Sequence, residues 1–183
     1  MVRKINLLAL GAAACIAATP ASAQVNGTVN VQGFVTTLCF AGTLVGADDV
    51  FDLGILTNTA TGLLRNDLSA PPKTLAGAFC SGRSTISISA TPLVSQTNTS
   101  NPPSGFSRTV DYTATAAGWT AAPATFTTGA AANAGAVQSQ PLAFTGDIIV
   151  SIDNFSTGGG QALRLVADPA YQGEIVVTLA AAN

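Results

Sequence analysis

Small apolar and polar residues alternate along QVNGTVNVQGFVTTLC, residues 24–39. Val25, Gly27, Val29, Val31, Gly33 and Val35 share one parity, and Asn26, Thr28, Asn30 and Gln32 the other. Successive side chains of a strand point to opposite faces, so this spacing predicts a β-strand with one small apolar face. The same period recurs in Thr85-Ile86-Ser87-Ile88-Ser89-Ala90 ahead of Pro92, and in Thr109-Val110-Asp111-Tyr112-Thr113-Ala114 after the breaker run Asn101-Pro102-Pro103-Ser104-Gly105. Ile148, Val150 and Ile152 alternate with Ile149, Ser151 and Asp153, and residues 162–166 follow the turn Gly158-Gly159-Gly160. A last strand carries Tyr171, Gly173, Ile175, Val177 and Leu179 on its inward parity.

No stretch holds a helical period over three turns. Six to eight short strands, counted from these segments and separated by Gly, Pro, Ser and Asn, predict an all-β fold. The expected architecture is an immunoglobulin-like antiparallel β-sandwich with Greek-key connections, possible also as an incomplete, strand-complemented form. Residues 63–76, with Pro71-Pro72, read as a long crossing loop. Residues 129–137 are too small-sided to anchor a core.

The first residues divide the chain. Arg3 and Lys4 precede an apolar run, residues 5–18, and Ala21-Ser22-Ala23 ends it in a small-residue cut site, so residues 1–23 read as a secretory signal peptide. The run is short of the ~20 residues of a transmembrane helix, and no later segment matches it, so no transmembrane segment is expected. Residues 24–183 then form one exported domain, with 24–38 a strand on a free chain end. Cys39 and Cys80 are the two thiols beyond the leader. In an exported protein they pair most simply as a disulfide worth about 4 kcal/mol on the loop-entropy model, the alternative being two buried free thiols. The chain has 9 acidic and 7 basic residues; loss of Arg3 and Lys4 leaves five basic against nine acidic. This charge offers no basic surface for nucleic acid. Only 9% of residues are charged, which suits association with copies of the same chain as well as it suits a low-charge secreted domain kept soluble by Thr, Ser and Asn.

Catalytic chemistry is thin. The absence of histidine removes the commonest general base, the Ser-His pair and the commonest zinc ligand. Asp48, Asp49 and Asp52 are the one acidic cluster; adjacent carboxylates on a strand diverge, and the spacing lacks the calcium-loop pattern and its closing glutamate. A solvated acidic turn fits better. The glycine triplet has neither phosphate-loop spacing, and Trp119 with Tyr112 reads as core filling in preference to a sugar platform. No catalytic residue, metal site or cofactor is expected, and the chain does not read as an enzyme.

Three pieces carry a resemblance to the spore coat U family and the related major subunits of archaic chaperone-usher pili. V-N-G-T-V-N-V-Q-G-F-V-T-T-L-C, residues 25–39, resembles the family's N-terminal strand running from the cleavage site into the first cysteine. Phe51-Asp52-Leu53-Gly54-Ile55-Leu56 is similar to the short strand that follows, and Cys80 to the second cysteine. Tyr171-Gln172-Gly173-Glu174-Ile175-Val176-Val177-Thr178-Leu179 resembles the closing strand, although here Ala180-Ala181-Ala182-Asn183 runs on beyond it. The resemblance implies a structural subunit of a secreted surface fibre or coat, acting in adhesion or biofilm and assembled by donor-strand exchange. It implies as partners copies of itself or related subunits, a periplasmic chaperone and an outer-membrane usher. It implies passage through the periplasm to the cell surface or an extracellular fibre. Val25, Val29, Val31 and Val35 would enter successive pockets of a neighbour, with Gly27 and Gly33 where the groove is tight. The other reading of the same alternation is a self-complete secreted β-sandwich with a binding or envelope role, in which residues 25–35 are the first strand of its own sheet.

Overall fold

The computed structural model describes residues 30–46, 48–158 and 163–182. The chain divides into two units, Met1–Phe34 and Val35–Asn183, and all strands among the described residues lie in the second. The expected leader, Val25, Gly27 and Val29 lie outside the described residues. In chain order the strands are β1 Cys39–Phe40, β2 Thr43–Leu44, β3 Lys73–Cys80, β4 Ser84–Ala90, β5 Leu93–Ser95, β6 Phe106–Ser107 and β7 Thr109–Ala117. They continue with β8 Ala124–Thr127, β9 Val137–Gln140, β10 Phe144–Thr157, β11 Arg164–Leu165, β12 Tyr171–Gln172 and β13 Ile175–Ala181; one turn of 3-10 helix, Ala134–Ala136, precedes β9.

These strands form the expected all-β, sandwich-like fold. A large antiparallel sheet runs β1-β3-β10-β7-β5-β12, with β2 added to β3 and β8 to β7. A three-stranded antiparallel sheet, β13-β4-β9, makes the second layer, and β6 and β11 form a short parallel pair. The layers share one core: Ile86 and Ile88 of β4 pack with Ala78, Cys80, Tyr112, Ala114, Ala116, Trp119, Ala124, Ile148 and Val150. Strand β7 shows why the chain folds this way, since its alternate residues Val110, Tyr112, Ala114 and Ala116 are buried while Thr109, Asp111, Thr113 and Thr115 are half-buried on the other face. Trp119 is core, 1% exposed, with its ring edge-on to Phe144 at 5.0 Å and its Nε1–H donating to Ser84 Oγ at 3.3 Å.

Cys39 and Cys80 form a disulfide and face one another directly across β1 and β3. Among the described residues no helix is long and apolar enough to cross a membrane.

Several local expectations change. Of the predicted strand over residues 24–39, residues 30–38 pair in no sheet. Residues 51–56 are not a strand: Asp52 Oδ1 accepts from Gly54 N–H at 2.9 Å and Gly54 takes a positive φ of 61°, which turns the chain out of extended geometry. The crossing loop expected over residues 63–76 stops earlier, because β3 begins at Lys73. Of the strand expected over 162–166, residue 162 lies outside the described residues and the rest pairs only at Arg164–Leu165. The closing strand is broken after Gln172, where Gly173 passes so close to the Thr91 and Pro92 carbonyls that a Cβ would collide with them.

Candidate functional site

Strand β13 pairs along its whole length with β4, from Ile175 opposite Ala90 to Ala181 opposite Ser84. Its other edge has no partner among the described residues. A strand edge of this kind presents unpaired N–H and C=O groups, the usual template for another strand. The side chains report the same incompleteness. Val177 faces Ile88 and Leu179 faces Ile86 across the pair; the two isoleucines are 2% and 0% exposed, whereas Ile175, Val177 and Leu179 are only half-buried. Equivalent positions in one layer of one core are closed on β4 and open on β13.

Beside this edge lies a cavity of about 760 Å³. Ile175 and Val177 line it from the small sheet, Leu75, Tyr112, Val150, Ile152 and Phe155 from the large one, and Phe51 and Leu53 from the segment before β3. Its surroundings are mainly apolar, with Lys73, Asp49 and Glu174 as the charged residues on its wall. Burial pushes the Tyr112 hydroxyl up to about 12. A second cavity, of about 630 Å³, lies between residues 50–57 and 165–172. Tyr171 borders both, and its hydroxyl donates to Val166 O at 2.8 Å; burial, then the charge of Asp168, raises its pKa.

The residues singled out from the sequence distribute unevenly. Tyr171, Ile175 and Val177 line the groove, and Leu179 is half-buried farther along β13. Of the apolar row ahead of Cys39, Val31 and Val35 are 93% and 89% exposed, and Gly33 has nothing near it. Phe34, 91% exposed, is a further large apolar residue there, on the opposite parity, which the valine count overlooked. The chain is fastened to Ser81 just ahead of β1: Ser81 Oγ donates to Thr36 O at 3.5 Å, and Leu38 N–H donates to Ser81 Oγ while its carbonyl accepts from Ser81 N–H, both at 2.9 Å. β1, where this exit ends, lies close to β13.

Two members of the acidic cluster, Asp48 and Asp52, act as local braces. Asp48 Oδ1 accepts from Val50 N–H at 3.0 Å and Oδ2 from Lys73 Nζ at 3.2 Å; the backbone bond first, then the lysine, holds its carboxyl below the usual range. Among the described residues no three acidic, Cys or His groups converge to hold a metal ion. The Phe51, Leu53 and Lys73 contributions to the groove were not anticipated; the signal available was the apolar spacing of Phe51 and Leu53, which was attributed to a strand.

The fold and site define an all-β sandwich-like protein in which the unpaired edge of β13 lies beside an apolar groove. Comparison with family models, curated proteins and solved structures finds no match to the chain.

Proposed function

We propose that this protein is a structural subunit of a secreted surface fibre or coat, built by donation of one subunit's N-terminal strand, residues 24–38, to the open groove of the next. The observation that carries this reading is the half-exposed row Ile175, Val177 and Leu179 opposite the sealed Ile88 and Ile86. An inserted strand satisfies the β13 edge and buries apolar side chains at the same time. β13 has 7 residues and is about 23 Å long at ~3.3 Å per residue, while residues 24–38 in extended form reach about twice that. Val25, Val29, Val31 and Val35 supply the apolar face, each contributing ~1.5 kcal/mol when fully buried. Donation from chain to chain is head to tail and generates an open fibre.

In this account an export leader carries the chain out, and a periplasmic chaperone's strand covers the groove in transit. Exchange at an outer-membrane usher then passes the groove to the next subunit, which serves adhesion or biofilm at the surface. Deleting residues 24–32 tests it: the variant folds and is exported but forms no heat- and detergent-resistant oligomers. A deletion variant that still assembles, or that cannot fold even with an added strand donor, overturns the reading.

A further inference from the structure

Asp49, Val50, Phe51 and Leu53 line the groove, and the segment that carries them, residues 48–56, is held differently from every strand around it. Between Asp48 and Ile55 no main-chain hydrogen bond reaches β13 or β3; the turns are closed internally, by Asp48 on Val50 and Asp52 on Gly54. Contact with the groove is through side chains. Phe51 packs against the core cluster, and Phe51 and Leu53 line the same cavity as Ile175 and Val177. The ends are tied by two cations. Lys73 Nζ donates to Asp48 O at 3.0 Å and Oδ2 at 3.2 Å and stands 5.8 Å from the centre of the Phe51 ring. Arg65 donates to Ile55 O through Nη1 at 3.3 Å, and its N–H donates to Leu56 O at 2.9 Å.

Lys73 is otherwise hard to place. It begins β3 and lines the cavity with Leu75, its side chain 18% exposed, where a sandwich ordinarily places an apolar residue. Its ammonium is used on the covering segment.

We infer that residues 48–56 are a displaceable cover, which shields the apolar floor of the groove with side chains alone and is pushed aside when a strand pairs with β13. Because the cover makes no ladder with β13, the edge stays available to the incoming backbone. The ion pair that holds it is solvent-exposed on the Asp48 side, the kind of bond that yields easily. This inference rests on the donor-strand reading and adds that the free subunit occupies part of its own groove.

The test uses the full mature chain and a fluorescent peptide of residues 24–38. Lys73→Met and Phe51→Ala each accelerate peptide capture about tenfold over wild type, equivalent to about 1.4 kcal/mol in the barrier. Capture by both variants at the wild-type rate overturns the cover and leaves donation standing. No capture by any of the three overturns both. Hydroxyl-radical footprinting of wild type is independent of the variants' folding: labelling of Phe51 rises on peptide capture if the cover is displaced, and unchanged or reduced labelling contradicts displacement.

Discussion

At the residue scale the sandwich is unevenly closed, and single substitutions separate its sealed and open parts. Ile86→Ala, at 0% exposure, costs about 2–5 kcal/mol, and Trp119→Ala about 3–5 kcal/mol. Leu179→Ala, opposite Ile86 but half-buried, costs clearly less in the isolated subunit; denaturant unfolding of the monomer measures all three. Tyr112 gives a titration signature. Its hydroxyl is raised to about 12 by burial, so the folded state keeps a proton that the unfolded chain releases at about 10. Stability is therefore intact below pH ~10 and falls as pH rises through about 12, with tyrosinate absorbance and unfolding appearing together. Tyrosinate forming near pH ~10 for both tyrosines, with the fold intact, contradicts this.

At the element scale, strands with clean alternation were legible and those bent by glycine were not. Thr85 to Ala90 and Thr109 to Ala114 fall within β4 and β7, and Ile148 to Ile152 within β10. β3 was half hidden in an expected loop, because Gly77, at a φ of 69°, interrupts its period where the register with β10 shifts. The Phe51 to Leu56 run has the residues of a strand, but Asp52 and Gly54 make it a turn. The groove was legible only through β13, since openness is a property of what does not pair. One glycine matters to how β7 ends. Gly118, at a φ of 94°, lets the chain pass against the Asp147 carbonyl of β10 with no room for a Cβ. Gly118→Ala is expected to cost about 1–3 kcal/mol, read as a lowered unfolding midpoint.

At the scale of the whole molecule, the disulfide and the N-terminal segment act in opposite directions. Cys39–Cys80 clamps the start of the fold to β3, and reducing it is expected to cost about 2–5 kcal/mol by thermal or chemical unfolding. Immediately before that clamp, Val31, Phe34 and Val35 stand exposed, apolar residues that the chain leaves in water. The cysteine pair was readable from the count of two thiols beyond the expected leader, and the alternation of residues 24–38 was equally plain. Alternation has no bearing on whose edge a strand joins, which is why the sequence left donated and self-inserted strands equivalent.

The central claim is that this segment pairs with β13 of another copy. Mixing chains carrying only Val31→Cys with chains carrying only Val177→Cys, each retaining the native disulfide, isolates that event, because a cross-link between the two variants is necessarily intermolecular. The account predicts a cross-linked heterodimer, with Val25→Cys or Val29→Cys replacing Val31→Cys where the register differs, and its suppression by an excess of cysteine-free peptide of residues 24–38, which competes for the same edge. Absence of a heterodimer at all three positions, with cross-linking only inside single chains that carry both cysteines, contradicts it.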